Sequence, residues 1–248
     1  GSCREAYGVG CRIESPAMNA AAPVAPAAFP QQATTFLLPG PAGAIEVAVE
    51  VPEPAEARLG TAVICHPHPL HGGTMHNKVV TITDRSLREL GLRTVRFNFR
   101  GVGASAGAHD EGNGEMDDLL AVCEWVQRVR PNDVLWLAGF SFGSYVAARA
   151  ARHLPKLAQL VSIAPPVEKY AFAALPHPHA PWLVVQGEDD DVAPPQPVRD
   201  WVRAMPDPPQ LVLMPEAGHF FHRKLMDLRG ALKNAVRPNL PPLETAGA

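Results

Sequence analysis

Long apolar runs are missing from this chain, and none approaches the roughly 20 residues that a membrane-spanning helix requires, so no membrane partner is expected. Charge of one sign is missing too. Lys and Arg number 22 against 25 Asp and Glu, a formal net charge of −3, and no basic cluster breaks the balance. Nothing here favours nucleic acid or an anionic surface. Cysteine is scarce, with four residues, and they form no framework: Cys3 and Cys11 lie near the start, Cys65 ends an apolar run and Cys123 falls in a helical pattern. Buried free thiols in a reducing compartment are the simpler expectation. No internal repeat is evident.

What is present describes an ordinary globular protein: 46% apolar and 19% charged residues in a chain of 248, enough to bury a substantial core. Met18 to Pro30 is mostly alanine and proline, and Pro23, Pro26 and Pro30 interrupt any signal-type apolar helix. Residues 1–32 therefore read as a disordered leader, 33–237 as one domain and 238–248 as a frayed tail. With no export signal visible, the cytoplasm is the expected compartment.

From Ala33 the pattern is β, β, then alternating β and α. Thr34 to Leu38 and Ile45 to Val51 flank a Pro-Gly-Pro-Ala-Gly turn, which predicts an antiparallel pair. Further strands are expected at Thr61–Cys65, Arg93–Phe99, Asp133–Ala138, Gln159–Ile163, Trp182–Gln186 and Gln210–Met214. Helices are expected at Asn77–Leu90, Glu115–Val129, from Ser144, at Gln196–Ala204 and at His222–Val236. The fold class is α/β: a doubly wound, mostly parallel sheet of about eight strands with an antiparallel start and helices on both faces.

Gly139-Phe140-Ser141-Phe142-Gly143 joins an apolar strand pattern to an alanine-rich helix pattern. Strand, Gly-x-Ser-x-Gly, helix is the context of a nucleophile elbow, in which a strained turn exposes the serine at a sheet edge. Alone, the five residues could be a small-residue turn; their flanks favour the elbow. Two later loops carry matching groups. Gly187-Glu188-Asp189-Asp190-Asp191-Val192-Ala193-Pro194 follows one strand, and Glu216-Ala217-Gly218-His219-Phe220 follows the last. Loops at the carboxyl ends of parallel strands converge, so Ser141, an aspartate and His219 can meet. Their chain order, Ser, Asp, His, is the α/β-hydrolase order.

From about Phe36 to Val236 the chain resembles the α/β-hydrolase fold, and more narrowly the small, cap-less bacterial serine hydrolases. The resemblance is carried by Cys65-His66-Pro67-His68-Pro69-Leu70-His71-Gly72-Gly73-Thr74-Met75, by Phe97-Asn98-Phe99-Arg100-Gly101-Val102-Gly103-Ala104-Ser105, and by the three loops above. The family's Gly-x-x-Asp-x-x-Val-Pro register, laid on Gly187 and Pro194, selects Asp190 over Asp189 and Asp191. The roles implied are Ser141 as nucleophile, His219 as base and Asp190 as the acid that orients it. An oxyanion hole needs two backbone N–H groups: Phe142 follows the nucleophile, and His68 is the first candidate donor after His66, with Leu70 second, because Pro67 and Pro69 have none.

Competing readings are weaker. His66, His68, His71 and His76 could suggest zinc, but no carboxylate or cysteine completes a familiar spacing, and the resemblance accounts for His66 and His68 without metal. Gly101-x-Gly103-x-x-Ala106 imitates a dinucleotide fingerprint but does not open directly into a helix. Arg100 and Ser105 are expected to fix that loop beneath the site. No cofactor and no metal are expected. Ala164 to Ala180 is too short for a helical cap, which implies an open site for a small-molecule acyl substrate. Leu70 and Phe220 are the candidate substrate-binding residues, with Met75, Phe142, Pro166 and Phe172 as further candidates to line an acyl pocket. The expected activity is carboxylesterase-like; thioesterase, amidase, peptidase or acyltransferase chemistry on the same triad, or a non-catalytic binder on this fold, are the alternatives.

Overall fold

In the computed structural model, which describes residues 22–245, two strands lead into the alternation anticipated from the sequence. They are β1 (Thr34–Gly40) and β2 (Gly43–Glu50), paired antiparallel through Gly40 opposite Gly43. There follow β3 (Gly60–Cys65), α1 (Lys78–Arg88), β4 (Arg93–Phe97), α2 (Asn113–Val129), β5 (Val134–Phe140), α3 (Phe142–Ala150), β6 (Leu157–Ile163), β7 (Trp182–Gly187), α4 (Pro195–Ala204), β8 (Gln210–Met214) and α5 (Leu225–Val236). The sheet order is β1-β2-β4-β3-β5-β6-β7-β8, antiparallel as far as the β2–β4 pair and parallel from β4 onward.

Alternating side chains divide the core. Val63, Leu135 and Leu137 face α2, α3 and α4, whereas Ala62, Ile64, Trp136 and Ala138 face α1 and α5. Both faces of the central strands are therefore covered, which is why these strands read as continuous apolar runs. The helix α1 starts at Lys78 because Asn77 Oδ1 accepts the N–H groups of Val79 and Val80. The helix α5 starts later than the sequence pattern suggests. Phe221 and Arg223 adopt positive φ (51° and 59°), a conformation that cannot propagate a right-handed helix.

Two expectations about the chain ends need correcting within the described residues. Phe29 is buried, stacks on Trp125 at 5.6 Å, and the Trp125 indole N–H donates to the Pro26 carbonyl. Within the stretch from Ala22 to Gln32, Pro26 and Phe29 are thus held on α2; residues 1–21 of the expected leader lie outside the described residues. At the other end, Leu59 N–H donates to Pro242, Glu244 N–H donates to Ala57, and the Glu244 carboxylate takes Arg93 and Arg130. Alanine and proline content conveys nothing about such anchoring. Cys65 and Cys123 are buried free thiols; Cys3 and Cys11 lie outside the described residues. Among the described residues no helix is long and apolar enough to cross a membrane. Between β6 and β7 there is only a turn of 3₁₀ helix, Phe172–Ala174, so no cap domain covers the sheet.

Candidate active site

The turn between β5 and α3 forces Ser141 into φ 54°, ψ −121°, a strained conformation for a residue with a side chain. Small neighbours make it possible. A Cβ on Gly143 would stand 2.5 Å from the carbonyl oxygens of both Cys65 and His66, so α3 can abut the end of β3 only with glycine there. Ser141 N–H donates to the Ile163 carbonyl of β6, and Ser144 closes the turn onto the Ser141 carbonyl.

The loops after β7 and β8 meet the serine. His219 Nε2 lies 2.9 Å from Ser141 Oγ, and His219 Nδ1 lies 2.8 Å from Asp190 Oδ2. Three buried side chains thus form one unbroken chain of hydrogen bonds. Of the three neighbouring aspartates only Asp190 is turned inward; Asp189 and Asp191 are exposed. Asp190 Oδ1 accepts the N–H groups of Val192 and Ala193, and Gln186 donates to Oδ2 at 3.3 Å. An acceptor-only carboxylate so held favours hydrogen on His219 Nδ1 and leaves Nε2 free to take a proton from the serine.

The loop after β3 supplies the opposite wall. His66 Nδ1 donates to the Pro67 carbonyl at 2.7 Å, and His66 Nε2 accepts the Phe99 N–H at 3.0 Å. Burial lowers the His66 pKa to about 4, against the smaller opposing effect of the Pro67 bond. Its two nitrogens are therefore committed to the backbone, which removes it from any zinc set. Further along, Met75 is gripped from both sides of its backbone: Arg96 donates to its carbonyl and Asn98 accepts its N–H. Arg96 is itself held by Asp84, and Asp84 also takes Thr94. Arg100 forms a two-pronged pair with Asp118 on α2, and Ser105 ties Asn98 to Glu46. These two residues fix the loop after β4.

Between these walls lies a cleft of about 230 Å³ lined by Ser141, His219, Phe142, Pro166, Val192 and Phe220 among others. Phe142 opens α3, with its N–H beside the nucleophile, and His68 lines the same cleft with its ring 5.1 Å from that of Phe142. Phe220 is 57% exposed and stands edge-on to His219. Leu70 is a correction. It sits on the 3₁₀ turn Pro69–His71, 67% exposed, and does not line the cleft, because that turn swings its side chain outward. Met75 and Phe172 are buried in the core rather than in the cleft. The sequence reading missed His71, Asn77, Lys169, Tyr170 and Val192, all of which line it. Only their place on loops after strands could have signalled them.

Comparison with known proteins agrees with this geometry. The model of the α/β hydrolase fold family matches residues 70–179. A lidless α/β serine hydrolase from Xanthomonas campestris shares 52% identity over 88% of this chain and 99% of its own, with a TM-score of 0.84. An α/β serine hydrolase homologue from Coxiella burnetii shares 48% identity over 84% of this chain and 100% of its own, with a TM-score of 0.81. An uncharacterized protein of Rickettsia prowazekii is 34% identical over 182 residues, 70% of this chain and 76% of that one. With its cap-less sheet, elbow serine and these relatives, the chain belongs to the α/β serine hydrolases without a lid.

Proposed function

We propose that this hydrolase cleaves small or flexible carboxylic esters through an acyl-enzyme on Ser141, His219 and Asp190. The observation that carries this reading is the buried Ser141–His219–Asp190 relay, with links of 2.9 and 2.8 Å. Ser141 Oγ bonds to the acyl carbon as its proton passes to His219 Nε2, and Asp190 stabilises the imidazolium. The N–H groups of Phe142 and His68 receive the oxyanion. The carbon–oxygen bond to the leaving alcohol then breaks, and the alcohol departs with the proton from His219. Water repeats the sequence: His219 takes its proton, its oxygen bonds to the acyl carbon, and Ser141 leaves reprotonated. An open cleft below the ~300 Å³ typical of drug-sized sites suits short acyl groups.

The test is hydrolysis of p-nitrophenyl esters from acetate to octanoate by wild type and Ser141→Ala, with fluorophosphonate labelling of both. Turnover of the short esters and labelling, both lost in the variant, are expected. Labelling without ester turnover would move the reading to thioesters, amides or transfer to other acceptors. Absence of both in the wild type would overturn it in favour of a binding protein.

A further inference from the structure

The polar groups that face the cleft, outside the relay, are weighted toward donors. Asn77 spends its Oδ1 on the Val79 and Val80 N–H groups, which leaves its amide hydrogens for a ligand. His68 spends Nδ1 on the Leu70 N–H at 3.1 Å, which puts its ring hydrogen on Nε2. Burial, followed by the neighbouring His71 and His109, lowers the His68 pKa and so keeps that neutral tautomer. Lys169 is a cation with three donors, and it makes no salt bridge among the described residues. Among the described residues no carboxylate lines the cleft. The nearby carboxylates turn elsewhere: Glu111 and Glu115 approach His109 at 3.5 and 3.2 Å, and Asp190 is spent on His219 and its own loop. Glu111 and Glu115 also raise the Tyr170 pKa, after the larger effect of its burial, and they oppose the lowering of the His68 pKa, so their negative field reaches this wall from outside the cleft.

Phe142, Pro166, Val192 and Phe220 give the same cleft an apolar portion. A wholly apolar ligand would offer no acceptor to the half-buried Asn77 and His68 donors, whereas an acid-tipped ligand offers one to them and an opposite charge to the exposed Lys169 at the rim. We propose that the substrate class is a short ester bearing a carboxylate at its far end, with Lys169 as the residue that selects for that charge. This rests on the serine-esterase reading above for the reaction, but not for the binding.

The experiment compares monomethyl glutarate with methyl 5-methylhexanoate, a near-isosteric neutral ester, by pH-stat hydrolysis. The wild type is expected to favour the acid-tipped ester in kcat/KM by about fivefold, as suits a partly solvated charge pair. That ratio is expected to fall toward unity in Lys169→Met, to invert in Lys169→Glu, and to shrink in about 0.5 M NaCl. A merely structural role for Lys169 would lower both esters together and leave the ratio and its salt dependence unmoved. A ratio at or below unity in the wild type, or one indifferent to both substitutions, would overturn the proposal while leaving the esterase reading standing. If neither ester turns over, that reading fails separately, and glutarate binding to Ser141→Ala, followed by NMR titration, decides the proposal. Binding that weakens severalfold when Lys169→Met is added upholds it, and no binding overturns it.

Discussion

The His66 ring bridges to the Phe99 backbone, its Nε2 accepting that N–H at 3.0 Å while Nδ1 holds the Pro67 carbonyl at 2.7 Å. One neutral imidazole thus ties the loop after β3 to the loop after β4, beneath the nucleophile. Its folded pKa of about 4 lies below the ordinary value of 6.5. Between those two values the unfolded chain binds the extra proton, so stability falls as pH falls through the window, by up to about 3 kcal/mol. His66→Gln, which offers an acceptor near Nε2 without titrating, is expected to flatten the slope of stability against pH from 6.5 to 4. Urea unfolding across that range reads it, and parallel slopes for both proteins would refute the assignment.

Asp190 and its neighbours separate orientation from bulk charge. Asp190→Asn should lower kcat on an activated ester by roughly 10³-fold or more, since the amide no longer fixes the imidazole in the required tautomer. Asp189→Asn and Asp191→Asn, whose side chains are exposed, should stay within about threefold of wild type. Equal losses in all three would point to loop charge instead.

Glu89 joins α1 to α5 by taking Arg229 and Lys233, and it also takes Arg85 from its own helix. Partial burial raises its pKa, yet the hydrogen bonds from Lys233, Arg229 and Arg85 together outweigh that and bring it to about 2. A depressed carboxylate contributes stability above its unfolded pKa, about 4.3, and loses it as pH falls toward 2. Glu89→Gln should cost about 1 kcal/mol at neutral pH, a figure kept low because the site is partly solvated. The difference from wild type should close near pH 2, and added salt should narrow it at pH 7. Thermal melts at the two pH values test both statements.

Phe29 anchors the segment ahead of β1 against Trp125. Phe29→Ala should destabilise the protein by about 3 kcal/mol, the usual cost of emptying a buried aromatic site. Trp125 fluorescence reports the loss of contact. An unchanged melting temperature would mean that this segment contributes no packing.

The sequence by itself determined the sheet, the elbow and the loops that hold Ser141, Asp190 and His219. Those features are local: a run of buried β-branched residues, a glycine pair around a strained serine, and turn residues at the carboxyl end of a strand, each written within a few positions. Tertiary structure decided what depends on distant surfaces. Phe29 and Glu244 lie in stretches whose composition signals no packed element, yet Trp125 on α2 holds the first and Arg93 with Arg130 the second. Leu70 stands next to the pivotal loop in sequence but faces outward, while Lys169 and Tyr170, remote from every motif, line the cleft. Nothing short of the folded sheet could bring them there, because a residue's neighbours across a cleft are set by strand order and loop path rather than by position along the chain.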